Sequence, residues 1–248
     1  MPPRYDQGYG PARISFGGPL TTAVKWLLIA NVAVYILQIF IHGIGGEEAW
    51  QVTLTLFALN PILVFKKLFV WQLVTYMFMH SPQSIFHILF NMLVLFMFGC
   101  EIERVLGPWK FLRYYLLTGI GGGLMNCAFS FNSPTLGASG AVFGVIVAYG
   151  MLFPTRRIWF WGIFPMTART FALLLAVIEL LSLGAFTPDG IAHFAHLGGA
   201  LTGYLLLKGT WSPRRLFEEL RWKMRRRRFR TIEDDWKRSD RDRRYPFH

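Results

Sequence analysis

Cysteine is nearly missing from this sequence. Its 248 residues include only Cys100 and Cys127, both inside apolar runs and neither in a CxxC or Cys/His ligand spacing, which leaves no basis for a disulfide framework or a zinc finger. No HExxH occurs; His193 and His196, three apart, could share a helical face, but the metalloprotease signature is absent and no metal is expected. Charge is also scarce through most of the chain, since fifteen of the 26 Lys and Arg residues lie from Lys208 onward. No cleavable leader is expected, because the N-terminus is polar and rich in Pro and Gly and the first apolar run begins near Thr22; that run is expected to persist as a helix.

What the sequence does have is apolar length. Hydrophobic residues make up 53% of it and the mean hydropathy is +0.36, values of a polytopic membrane protein rather than a soluble domain. Six stretches approach the ~20 residues that cross a ~30 Å hydrocarbon core: 22–42, 82–102, 111–131, 137–153, 169–187 and 190–208. The predicted fold class is therefore all-α, a six-transmembrane-helix bundle between a cytoplasmic N-terminal segment (1–21) and a basic cytoplasmic tail (209–248).

Cations cluster on alternate connections. Arg4, Arg13 and Lys25, then Arg104, Lys110 and Arg113, then Arg156, Arg157 and Arg169 fall on one side, against only Lys66 and Lys67 on the other. By the positive-inside rule both termini are cytoplasmic, and the expected location is the plasma (inner) membrane. The first loop, 43–81, is too long for a tight connection and too apolar for a solvated linker, so it is expected to lie in the outer interface. Trp50, Trp71, Trp109, Trp159, Trp161 and Trp211 fall near span ends, where amphipathic rings are favoured. The tail opens with the helix-start signal Ser212-Pro213 and carries the cluster Arg225 to Arg228, which fits contact with anionic lipid. Nucleic-acid binding is not expected, because no reading module accompanies the charge.

Polar side chains at membrane depth are costly and so mark function by default. Those in the spans are Asn31, His87, Asn91, Asn126, Ser139, Glu179, Ser182, His193, His196 and Thr202. Spans 2, 4 and 6 run in the same direction, and His87, Asn91, Ser139 and His196 all fall in their outer halves. His87 and His196 are expected five to six residues in, roughly 8–10 Å deep at ~1.5 Å per residue. Span 4 is short, which recesses Ser139. His87 and Asn91, four apart, share a helical face. Gly140/Gly144 and Gly199/Gly203 are small-xxx-small pairs that let helix backbones approach closely. If those seams meet, the Ser139 hydroxyl and the His196 imidazole come within hydrogen-bonding reach. Each feature alone also fits plain packing; their shared depth is what points to chemistry.

The run from Trp71 to His80, then His87-Ile88-Leu89-Phe90-Asn91-Met92 and Glu101-Ile102-Glu103-Arg104, resembles the first loop and second span of the rhomboid intramembrane serine proteases. Gly137-Ala138-Ser139-Gly140 looks like that family's GxSG motif, and Ala192-His193-Phe194-Ala195-His196 with Gly199 and Gly203 looks like its sixth-span histidine motif. The likeness covers roughly residues 55–208 and implies a rhomboid-like bundle. It also implies a Ser139–His196 dyad without a carboxylate, oxyanion donors on His87 and Asn91, a Phe143 ring packed on the imidazole, and single-span membrane-protein substrates.

General chemistry agrees with these roles. A serine hydroxyl needs a base, which neutral imidazole can be. The Ser139 backbone N–H at a helix N-terminus favours an oxyanion, while Gly137 and Gly140 let the chain turn close to substrate. Within the spans no Asp is present, and Glu179 has no evident partner. No cofactor is expected. Alternatives are an inactive rhomboid-like client-binding protein and a proton-coupled transporter using Glu179, His193 and His196. The roles of His80, His193 and Glu179 stay open.

Overall fold

The structure, a computed structural model, describes residues 18–130, 134–160, 164–183 and 192–209. Segment 1–17, the connection at Pro188-Asp189 and the basic tail with its Ser212-Pro213 start lie outside the described residues. The described residues up to Tyr204 belong to one compact unit.

The described residues are almost wholly helical: α1 (Thr22–Phe57), α2 (Pro61–Lys67), α3 (Gln72–Thr75), α4 (Ile85–Val94), α5 (Cys100–Leu106), α6 (Pro108–Phe129), α7 (Ser139–Leu152), α8 (Ala168–Ser182) and α9 (His193–Lys208). A π-turn at Leu95–Gly99 joins α4 to α5 as one continuous rod, Ile85–Leu106. Thr22–Phe57 and Ile85–Leu106 are long and apolar enough to cross a bilayer, and Ser139–Leu152 is apolar but shorter.

Local chemistry sets the breaks. Gly107 has φ +81°, a left-handed value that suits glycine, and Pro108 then opens α6, so the rod ends and the next helix starts within two residues. Asn60 caps α2 by accepting from the N–H groups of Ile62 and Leu63.

The connections hold more regular structure than the apolar stretches alone suggest. The first loop is largely helical: α1 continues past residue 42 to Phe57 across a kink at Gly46, and α2 and α3 fill much of the rest. The helical class holds, with one addition: the connection between α7 and α8 carries an antiparallel pair, β1 (Arg157–Phe160) and β2 (Phe164–Thr167). Ile158, Trp159 and Phe160 are good strand formers, and Pro165 is tolerated because every strand of a two-stranded sheet is an edge. Trp50 is buried with Ala58 and Met79, with Leu54 and Leu136 packed against them.

The two ends of the bundle are tied separately. At one, Glu103 accepts from the Thr21 hydroxyl and from the N–H groups of Ala23 and Val24, covering the open start of α1. Arg104 bonds the Pro19 carbonyl and Arg156 pairs with Glu101, so the cation-rich connections share this end. At the other, Leu59 and Thr135 exchange backbone hydrogen bonds of 2.9 Å, fastening the first loop to the approach to α7. Gln72 reinforces that loop, accepting from Asn60 N–H and donating to the Thr55 carbonyl.

Helix α7 sits at the centre, with nine of its fourteen residues buried. Its small residues let neighbours close in: a Cβ at Gly144 would meet Thr118 of α6 at 2.6 Å, and one at Gly150 would meet Ala172 of α8 at 2.9 Å. Large apolar side chains instead face outward around the perimeter, among them Phe86, Phe90, Leu173, Val177 and Leu181. A contiguous apolar exterior around a packed centre suits a lipid surrounding.

Candidate active site

Ser139 is the first residue of α7, His87 the third of α4 and His196 the fourth of α9. The three helices thus present their N-terminal ends to one place. The first N–H groups of a helix have no intrahelical partner and carry the positive end of its dipole, so this place favours developing negative charge.

Oγ of Ser139 and Nε2 of His196 are 2.7 Å apart and hydrogen-bonded. Backbone proximity makes this possible. A Cβ at Gly199 would stand 1.8 Å from the Gly140 carbonyl oxygen, and one at Gly203 would stand 3.0 Å from Gly144 Cα, so the two glycine pairs do form the α7–α9 seam. The Phe143 ring, one turn after the serine, stacks on the His196 imidazole at 4.4 Å and 10°. With its ring plane held, the imidazole can take the serine proton at Nε2 provided that its own hydrogen is on Nδ1.

Gly137 turns the chain into α7 at φ +129°, and its N–H donates to the Tyr76 carbonyl at 2.9 Å. A Cβ there would be 2.8 Å from His87 Nε2 and 3.6 Å from Ser139 Oγ, which places the His87 ring beside the serine. The Asn91 amide donates to the His87 carbonyl at 2.8 Å, so one of its two hydrogens is engaged in its own helix. Gly140 lies under Tyr76, whose hydroxyl donates to the Gly119 carbonyl. Ser139 and His87 are only partly buried, and His196 and Glu179 are buried.

The expectation that Glu179 has no partner is corrected. Its Oε2 is 2.6 Å from Nδ1 of His193, in a hydrogen bond, and its Oε1 is 3.0 Å from Nδ1 of His196. The second contact is off the axis of a regular hydrogen bond. A signal was available: α8 runs opposite to α7 and α9, so Glu179, ten residues past Arg169 or roughly 15 Å along, comes to the level of the histidines. Among the described residues, Glu179, His193 and His196 form the group able to hold a metal ion, with ligand atoms within 4.8 Å of one another. The carboxylate is thus hydrogen-bonded to His193 and stands beside Nδ1 of His196, while Nε2 of His196 faces the serine.

Known proteins share this sequence pattern. Residues 67–212 match the model of the rhomboid domain. RHOMBOID-like protein 1 of Arabidopsis thaliana is 30% identical over 210 residues, 74% of this chain and 51% of the relative. RHOMBOID-like protein 4 of the same plant is 34% identical over 136 residues, 55% of this chain and 33% of the relative. Rhomboid protease GluP of Bacillus subtilis is 30% identical over 184 residues, 74% of this chain and 34% of the relative. The chain spans between a third and about half of the length of these relatives. With well over half of its residues inside the matched domain, the chain belongs to the rhomboid family of multi-pass membrane proteins.

Proposed function

We propose that this chain is an intramembrane serine endopeptidase with Ser139 as nucleophile and His196 as base. The observation that carries the proposal is the 2.7 Å contact between Oγ and Nε2 beneath a stacked Phe143 ring. As Oγ attacks the substrate carbonyl carbon, its proton passes to Nε2. The carbonyl electrons move to oxygen, and collapse of the tetrahedral species expels the amine, which takes the proton from the imidazolium. Water then attacks the acyl ester, giving its proton to the same nitrogen, and the acid product leaves as that proton returns to Oγ.

Charge on the carbonyl oxygen is received by the Ser139 backbone N–H at the start of α7, with the His87 ring and the Asn91 amide as further donors. The helices at the six apolar stretches are read as six membrane spans, and the cation distribution supports cytoplasmic termini; the plasma (inner) membrane is the proposed location. Substrates of this reading are single-span membrane proteins; the tail, by its sequence, contacts anionic lipid.

The test is cleavage of a labelled single-span reporter by purified protein in detergent. Wild type cleaves and is labelled by a serine-directed fluorophosphonate at Ser139, whereas Ser139→Ala and His196→Ala do neither. Cleavage that persists in Ser139→Ala sinks the proposal, and loss of wild-type cleavage on chelation moves the chemistry to the Glu179–His193–His196 group.

A further inference from the structure

A carboxylate away from bulk water is unfavourable unless its oxygens are matched by donors. Glu179 is buried, and each of its two oxygens is matched by a different imidazole of the same helix. One of those imidazoles is the candidate base. Among the described residues, the groups facing His196 are His87 of α4, Ser139 and Phe143 of α7, Glu179 of α8 and His193 of α9. Among the described residues, it is a Glu179 oxygen that stands beside Nδ1, at 3.0 Å, and can hold a hydrogen there.

That hydrogen decides whether the base works. Neutral imidazole has one donor and one acceptor nitrogen, and which is which is set by what the other nitrogen faces. With the hydrogen on Nδ1, Nε2 offers a lone pair to the serine. With the hydrogen on Nε2, the ring can only donate toward Oγ and cannot take its proton. Phe143 fixes the plane of the ring, but a stacked ring is indifferent to the choice between tautomers.

We propose that Glu179 is a positioning residue that completes a Ser139–His196–Glu179 relay, holding His196 in the tautomer with its hydrogen on Nδ1 and stabilising the imidazolium formed during each proton transfer. This rests on the Ser139–His196 reading above. His193 has the supporting part: its 2.6 Å bond to Oε2 orients the carboxylate, leaving Oε1 for His196. The 3.0 Å contact at Oε1 lies off the hydrogen-bond axis, as catalytic contacts often do before substrate binds. The electrostatic preference for hydrogen on Nδ1 acts at that distance regardless.

The arrangement also has a mechanical side. Glu179 is on α8, while the serine and the base are on α7 and α9. At its first turns α8 is held against α7, where a Cβ on Gly150 would be 2.9 Å from Ala172 Cβ and 3.1 Å from the Ala168 carbonyl. Near the site, large side chains of α8 such as Val177, Leu180 and Leu181 point outward, and the carboxylate reaches inward to α9.

The full-length protein in detergent, with the single-span reporter, tests this through Glu179→Gln, which keeps size and can still bond His193, and Glu179→Asp, which keeps charge. We expect kcat to fall 100-fold or more in Glu179→Gln with KM within twofold of wild type. Fluorophosphonate labelling of Ser139 should slow by the same factor, with Tm within a few degrees, and Glu179→Asp should recover at least tenfold of the loss. Wild-type kcat in Glu179→Gln overturns the proposal and leaves the Ser139–His196 reading standing. Wild-type protein that cleaves equally well with Ser139→Ala removes that reading itself.

If Glu179→Gln does not fold, nitrogen-15 NMR of histidine-labelled wild type decides. Hydrogen on Nδ1 of His196 supports the assignment; hydrogen on Nε2 overturns it.

Discussion

Gly199 of α9 lies so close to Gly140 of α7 that a Cβ on Gly199 would stand 1.8 Å from the Gly140 carbonyl oxygen and 3.2 Å from its Cα. The obstacle is backbone, which cannot swing aside as a side chain can. Gly199→Ala therefore has to separate the two helices that carry Ser139 and His196. Overpacking of this kind costs about 1–3 kcal/mol, and proton transfer across a 2.7 Å contact fails with a shift of about 1 Å, at ~100-fold in rate. Reporter turnover is expected to fall at least that far. Gly43→Ala is the control: it lies in α1 with nothing within 4 Å of the added atom, and should leave turnover unchanged.

This seam was legible in the sequence because spacing encodes it: Gly140/Gly144 and Gly199/Gly203 recur at the period at which helix backbones meet. The first loop was less legible. Its order comes from Gln72, Trp71 and Thr75 bonding carbonyls of Thr55, Leu56 and Phe57, contacts between residues 15 to 18 apart that no periodicity announces. The β1–β2 pair was hidden by its short length. Glu179 stood in the sequence as a polar residue inside a span, but its partners lie on α9, and only the reversed direction of α8 hinted at their shared level.

Phe143 can be tested apart from the proton relay. Its ring lies nearly parallel to the imidazole of His196 at 4.4 Å, a contact of about 0.5–1.5 kcal/mol for aromatic pairs. Phe143→Leu fills the space without a flat face. Turnover is expected to drop about tenfold through kcat, while Phe143→Tyr, which keeps the face, retains most of it. Equal rates for Leu and Phe at this position would show that the stack does not orient the base.

His87 and Asn91 differ in how they approach the serine, and the difference predicts unequal losses. The His87 ring borders Gly137 and Ser139, whereas one Asn91 amide hydrogen is held by the His87 carbonyl. Removing a donor that meets an oxyanion directly costs ~3–4 kcal/mol of barrier, or 100- to 1,000-fold in kcat. His87→Ala is expected to reach that range. Asn91→Ala should be weakened by less, since it also supports the start of α4. Both should keep fluorophosphonate labelling measurable, because the nucleophile and base persist. Full wild-type turnover in both would remove the side chains from the oxyanion site.

His80, between the first loop and α4, has no exposed surface, and burial pushes its imidazole down to about 3 from an ordinary value near 6.5, with the His87 ring adding to the effect. Its backbone N–H donates to Gln38, while neither ring nitrogen makes a regular hydrogen bond among the described residues. The folded protein thus keeps this ring neutral where the unfolded chain would protonate it. Because the unfolded state binds the extra proton, stability is full above pH ~6.5 and declines as the pH falls toward about 3, by at most ~1.4 kcal/mol per pH unit from this group. The His87 ring faces it at 5.1 Å and titrates on its own account, so the informative quantity is a difference between proteins. Thermal unfolding in detergent from pH 7 to pH 5 should show wild type losing about 2 kcal/mol more than His80→Phe. Parallel pH profiles for the two would mean that His80 is protonated in the fold or reaches water there.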